Sequence, residues 1–272
     1  MRLRTFAAAL IVFAASAAIG IAQTYEPATP PPRTTDVRAL RAVAQAREIH
    51  ERFTIGLDAE RQGQWAAAAA EFERIITLHP PEPQFSTAHY DAGIAYAHVN
   101  RLDDAARAFR SAIGGDPEFL AAMANLIAVD LSRGDLREAR SIADRFVALA
   151  PDSARALYSR GIVALRQGDS AAARASFGQL LAADPQYALA HYNLAIAQVH
   201  DGQYPSAEHE LRIALDLAPS YGRARFALGT VLLREGKRSQ AREAFDAVAR
   251  DASGDAALRN LALSMRDAIA QP

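Results

Sequence analysis

Seven histidines are the first residues to weigh for chemistry: His50, His79, His89, His98, His191, His200 and His209. Metal-assisted hydrolysis would need two of them four apart on one helix around a glutamate, and no H-E-x-x-H occurs. His191, His200 and His209 follow at nine-residue intervals, but the turn expected at Gly202 puts His209 on another helix. They read as ordinary solvated or groove-lining side chains. The carboxylates of Asp103-Asp104 and Glu208/Glu210 fall at turns or on outward faces, where helix capping and solubility account for them. The chain has no cysteine, which excludes thiolate catalysis, disulfides and cysteine-ligated metal. Neither G-x-S-x-G nor G-x-x-x-x-G-K-[ST] is present, and Gly114-Gly115 precedes a helix stop rather than forming a phosphate loop. No enzymatic activity, cofactor or metal site is expected.

The elements that carry these residues announce themselves through proline. Pro117, Pro151, Pro185 and Pro219 stand 34 residues apart, and aligning on them brings other positions into register. A small residue recurs at Gly93, Gly161, Ala195 and Gly229. Turn residues recur at Asn100, Gly134, Gly168, Gly202 and Gly236, and alanine at Ala105, Ala139, Ala173, Ala207 and Ala241. A large apolar residue follows that alanine four later at Phe109, Phe177, Leu211 and Phe245. Apolar residues between these marks keep helical spacing, and no window alternates as a strand would.

On these residues the chain resembles the tetratricopeptide repeat (TPR) family. The clearest unit is Ala188 to Tyr221, with Leu194, Ala195, Gly202, Tyr204, Ala207, Ala214 and Pro219 at the motif positions. The resemblance implies an all-α fold, a right-handed α-solenoid of about six helix-turn-helix repeats with a C-terminal capping helix. The repeats are 49–85, 86–119, 120–153, 154–187, 188–221 and 222–255, within a solenoid spanning 36–255. The first carries three extra residues around Pro81-Glu82-Pro83, and the last has Ser253 where proline is expected. Gly93, Gly161 and Gly229 should let paired helices approach closely, with Phe109, Phe177 and Phe245 filling the space beyond. The third repeat departs most, with Ile127 at the small position and Ala143 at the large one, a size exchange compensated nearby. Residues 256–272 form the capping helix and tail, with Leu258, Leu261, Ala262, Met265 and Ile269 expected on its covered side.

The family lines a concave surface with the first helix of each pair. Carried over by register, that groove holds an aromatic row of Phe53, Tyr90, Tyr158, Tyr192 and Phe226. Asp91, Asn125 and Asn193, with Arg155 and Arg223, lie beside it. Further along the same helices come Ile94, Ile162, Ile196, His98, His200, Arg166 and Arg234. Tyr90, Asn125, Arg155, Tyr158, Tyr192, Asn193, Arg223 and Phe226 are the candidate partner-binding set, with Tyr192 and Asn193 expected to face solvent; the alternative is that the aromatic rings pack between adjacent helices. Aromatic rings offer contact area at low entropy cost, and amides pair with extended backbone. Some members hold acidic chaperone C-termini through a clamp of two Lys, two Asn and one Arg. Asn125 with Arg155 and Asn193 with Arg223 supply two of the five elements twice. Tyr90, Ile94 and Ser159, and Tyr158, Ile162 and Ala227, hold the other places, so no full clamp forms. The mixture suits an extended segment of mixed polarity.

Composition sets the class of partner and the destination. Of 272 residues, 30 are Lys or Arg and 31 Asp or Glu, a balance that argues against nucleic acid as the ligand. Arg2 and Arg4 precede an apolar run from Phe6 to Ala22, closed by Gly20-Ile21-Ala22. Residues 1–22 therefore read as a secretory signal cut before Gln23, or alternatively as an uncleaved membrane anchor. Residues 23–35, with Pro27 and Pro30-Pro31-Pro32, form a Pro-rich linker. The expectation is an exported scaffold that binds a partner protein or extended peptide in its groove and serves assembly of a cell-envelope complex. Its expected location is the periplasm, or the inner membrane facing the periplasm. The alternatives are a membrane-tethered subunit or the substrate-recruiting partner of an enzyme.

Overall fold

A computed structural model describes residues 37–251 and 255–270. Thirteen helices and no strand occur among the described residues. Residues 1–36, on which the expected signal or anchor and the expected linker fall, and Ser253 lie outside them. The chain divides into two compact units, residues 1–149 and 150–272. Unit 1 holds α1 (Val37–Arg61), α2 (Trp65–Thr77), α3 (Gln84–His98), α4 (Leu102–Gly115), α5 (Leu120–Arg133) and α6 (Leu136–Leu149). Unit 2 holds α7 (Ala154–Gln167), α8 (Ser170–Ala183), α9 (Ala188–His200), α10 (Tyr204–Leu217), α11 (Gly222–Arg234), α12 (Arg238–Arg250) and α13 (Ala256–Ala270). Within each unit, every helix packs on the next in chain order, and successive first helices touch as well: α3 meets α5, α7 meets α9 and α9 meets α11. This is the expected all-α solenoid of helix pairs.

Reversal of the chain within a pair depends on one left-handed residue. Gly63, Gly134, Gly168, Gly202 and Gly236 all have φ between 71° and 80°, and Asn100 takes the same turn position at φ 59°. Asparagine is among the few side chains that tolerate this region, so the register survives without glycine there. Ser153 and Asp169 cap α7 and α8 by accepting from Ala156 N and Ala172 N.

Inside each pair the second helix lays a phenylalanine ring directly on a glycine of the first. A Cβ added at Gly56, Gly93, Gly161 or Gly229 would stand 2.7, 2.7, 2.5 or 2.9 Å from Cε1 of Phe72, Phe109, Phe177 or Phe245. The partners are sixteen residues apart in every case. The rings therefore sit on the glycines themselves rather than in space beyond them, and all four are fully buried. Ile127 and Ala143 occupy the same two positions in α5 and α6, buried at 2% and 0% exposure, so bulk there comes from the first helix. At the C-terminal end, Leu258, Ala262, Met265 and Ile269 of α13 pack on the core of unit 2. Leu261, expected among them, is 42% exposed and lies off the covered face.

Candidate functional site

The wall formed by α7, α9 and α11 in unit 2 is built on the 34-residue register. Tyr158, Tyr192 and Phe226 share one position and are each half-buried. Every ring leans on another: Tyr158 lies 6.0 Å from Phe177 and 5.8 Å from Tyr187, Tyr192 5.0 Å from Tyr221, and Phe226 5.2 Å from Phe245. One position further on, the Asn193 amide donates to the Tyr158 hydroxyl at 3.2 Å and to the Leu189 carbonyl at 2.7 Å. That bond crosses from α9 to α7 and fixes which faces of the two helices adjoin. Burial pushes the Tyr158 and Tyr192 phenols above their ordinary value, with Arg223 opposing the shift at Tyr192. Asn193 itself is buried, so it acts inside the wall rather than facing solvent as expected. Arg155 and Arg223 are half-buried, one turn before Tyr158 and Phe226.

Between those arginines in register stands Leu189, 43% exposed and the most accessible apolar side chain on the wall. It was not among the expected groove residues, yet the repeat interval alone aligns 155, 189 and 223. His191 also differs from expectation. It is buried, with Nδ1 2.6 Å from Glu210 Oε2 and Nε2 2.9 Å from the Pro185 carbonyl, tying α9 to α10 and to the preceding turn. The nineteen-residue interval from His191 to Glu210 matches that of Arg52 and Glu71 in unit 1, whose ion pair spans 3.1 Å. Glu208 is likewise no bland surface charge. It binds Arg212 at 2.6 Å and Lys237 at 2.5 Å, and these bonds hold its carboxyl down at about 2.

The corresponding wall in unit 1 is closed. Tyr90 has no exposed surface: its ring lies between Phe109 at 5.8 Å and Phe119 at 4.8 Å, and its hydroxyl accepts from the Asn125 amide at 3.3 Å. Asn125 is 2% exposed. Tyr90 and Asn125 are therefore interior residues in this structure, because ring and amide satisfy one another inside the stack. Ile94 and Asp91 are fully buried beside them, and neither Asp91 carboxylate oxygen has a hydrogen-bond partner. Burial and the neighbouring Glu60 hold the Asp91 carboxyl well above its ordinary value, and burial raises Glu60 to about 7. Phe53 is buried against Phe72, and His98 stacks flat on Trp65 of α2 at 3.6 Å instead of lining a groove. A cavity of about 390 Å³ between α1 and α2 has its charges committed: Glu71 to Arg52 and Arg74, Asp58 to Arg61.

The described residues hold no cluster of three or more His, Asp or Glu able to ligate a metal, and no helix among them is long and apolar enough to cross a membrane. What the unit 2 wall offers chemically is contact: rings, one exposed leucine and cationic groups.

No curated protein sequence matches this chain. Solved structures do, at the level of fold. A tetratricopeptide repeat protein from Parabacteroides merdae is 17% identical, with TM-score 0.72, covering 82% of this chain and 90% of that one. PilW, described as a widely conserved type IV pilus biogenesis factor, is 19% identical, with TM-score 0.66 and coverage of 78% and 97%. YrrB, described as a TPR protein with an unusual peptide-binding site, is 20% identical, with TM-score 0.57 and coverage of 73% and 97%. The tetratricopeptide repeat profile matches residues 53–118, 129–188, 159–221, 192–256 and 226–264. The chain belongs to the tetratricopeptide repeat family, whose members bind protein or peptide partners.

Proposed function

We propose that this protein is an exported, non-catalytic scaffold that docks a segment of a partner protein on the wall formed by α7, α9 and α11, in the service of a cell-envelope assembly. The observation that carries the docking reading is the wall itself. Tyr158, Tyr192 and Phe226 recur at one register position and remain half-exposed, with Leu189 standing clear among them. Partly exposed rings braced from behind are anchors that need little ordering on binding. Their counterpart in unit 1, Tyr90, is sealed, so docking is assigned to unit 2. Export is supported by the sequence of residues 1–22, and an envelope role by the likeness of fold to a pilus biogenesis factor.

The test is capture of native envelope proteins by the full chain and by two variants, Leu189→Ser and Tyr192→Ala, with thermal melts alongside. Leu189→Ser should leave the melt in place and weaken capture, since a few anchors carry most of an interface. Capture unchanged in both variants would place the docking surface elsewhere. For export, the mature N-terminus should be Gln23; recovery of residues 1–22 on membrane-bound protein would mean a retained anchor instead.

A further inference from the structure

In unit 1 each first helix after α1 is covered by the second helix before it, α3 by α2 and α5 by α4. Ala92 and Leu126, at equivalent positions of α3 and α5, are fully buried. One turn further on, the Tyr96 hydroxyl donates to Glu73 of α2, and Arg110 of α4 donates to Asp130 of α5 at 3.2 Å. Ile55 holds the same position in α1 and is 54% exposed, since among the described residues no helix precedes α1. It lines the cavity of about 390 Å³ between α1 and α2, together with Ala59, Ala67 and Ala70. This is a seat for a helix. The other half of α1 overhangs it: α1 has 25 residues against 15 in α3, an excess of about 15 Å. Val37 and Leu40 on that overhang are 59% and 41% exposed. Val37, Arg41, Ala44, Glu48, Glu51 and Ile55 follow at alternating steps of four and three, so they form one line along the helix. The spacing of that line is symmetric about residue 46, and the charge of α1 is not. Val37 to Arg47 has three arginines and no carboxylate, whereas Glu48 to Arg61 has four carboxylates against two arginines.

We propose that a second copy of this chain fills the seat, with the two α1 helices lying antiparallel about a two-fold axis beside residue 46. Val37 of one copy then meets Ile55 of the other, and Arg41 meets Glu51. Each overhang covers the seat of the other copy. It cannot cover its own, because it continues the same helical rod. A two-fold interface needs one self-complementary patch, and this line along α1 is one. Parallel pairing would set Arg41 against Arg41 and Glu51 against Glu51, so charge selects the antiparallel form. Glu51 already has Arg47 at 3.5 Å, but both side chains are largely exposed and such pairs are weak, so Arg41 of the other copy can compete. The interface uses unit 1 alone and is independent of the docking wall in unit 2.

Sedimentation velocity of the purified full chain reads the state of association. The parent should pass from monomer to dimer within about 1–100 μM, and the dimer should weaken as salt rises. Arg41→Glu or Glu51→Arg alone should weaken association at least about tenfold. The two together in one chain should restore it, because the pairs re-form with their signs exchanged. Both positions are exposed, so the thermal melts of these variants should stay with the parent. The chain has no cysteine, which makes cross-linking clean: Val37→Cys with Ile55→Cys should give a covalent dimer on mild oxidation, and neither substitution alone should. A parent that stays monomeric over this range overturns the proposal, as does a dimer indifferent to charge reversal. A covalent dimer from Val37→Cys alone would mean a parallel pair and overturns the antiparallel assignment. Binding of monomer to phosphatidylglycerol vesicles, lost in Arg41→Glu, would overturn it too and give the overhang to a lipid surface.

Discussion

Units 1 and 2 use the same repeat frame and reach opposite inner walls. In unit 1 the position after the row tyrosine holds Asp91 and Asn125, both buried, and the rings of Tyr90 and Phe119 close to 4.8 Å. In unit 2 the same position holds Ser159, Asn193 and Ala227, and the comparable ring pair, Tyr158 and Tyr187, stands at 5.8 Å. Carboxylates line the first helices of unit 1, from Glu48 to Asp130, whereas those of unit 2 have none. The amide-to-phenol tie itself is conserved between them, Asn125 to Tyr90 and Asn193 to Tyr158, each across thirty-five residues. A shared brace therefore does not decide whether a wall is open. The size and charge of its neighbours do.

The comparison breaks most sharply at the glycines. Gly161→Leu and Gly229→Leu should each cost about 3 kcal/mol, because a Cβ at either position meets a buried ring at 2.9 Å or less. Unit 1 already contains the opposite arrangement in Ile127 and Ala143. Gly161→Ile with Phe177→Ala copies it and should recover part of the loss in a calorimetric melt. Two singles that overlay the parent would mean the rings have room to move.

Acid should next separate the units by sign. A carboxyl raised by folding holds a proton that the unfolded chain releases. Its stabilising contribution is complete below the unfolded value and is lost as pH rises to the folded one. For Glu60 that window runs from 4.5 to about 7, and Asp91 is displaced in the same direction. Unit 1 should therefore gain on the order of 2 kcal/mol on acidification through this window. Glu60→Gln with Asp91→Asn should flatten the response. Glu208 behaves oppositely: its folded value is about 2, so its contribution is present above 4.5 and lost as pH falls toward 2. Lys237, 41% exposed, is screened by solvent, so Lys237→Met should change stability little. Hydrogen-exchange protection of each unit against pH reads both signs in one experiment, and parallel responses would refute the assignment.

The smallest expected effect concerns the ties. Asn125→Ala removes a hydrogen bond inside a dry interior and should cost about 2 kcal/mol. Asn193→Ala leaves Tyr158 half-exposed to water and should cost about 1 kcal/mol. Equal losses by denaturant titration would mean the two walls are equally dry.

The prolines at 34-residue intervals made the helix pairs legible, since turn, small residue and large residue must recur wherever pairs stack. The closeness of Gly161 to Phe177 was implicit in that same interval. The state of each wall was not legible. Tyr90 and Tyr158 share register and type, and their neighbours distinguish sealed from open, with Phe119 packed against one ring and Tyr187 against the other. Leu189 falls in register with Arg155 and Arg223, and the His191–Glu210 interval repeats that of Arg52 and Glu71, so both were implicit in the repeat. The burial of Asp91 had no signal, because a carboxylate in the core without a partner runs against the usual preference of its type.

The ring-on-glycine contacts also bear on how the chain acquires its structure. Each joins residues only sixteen apart, so the loop it closes is short and its entropy cost modest. Contacts so local form fast, and each helix pair can collapse before its neighbours have stacked. The Asn193–Tyr158 and Asn125–Tyr90 bonds instead span thirty-five residues and can form only once adjacent pairs are in place. Nucleation should therefore be possible at any of the four ring-on-glycine pairs. Growth from there would run in both directions within each unit, with the ties recording each completed step.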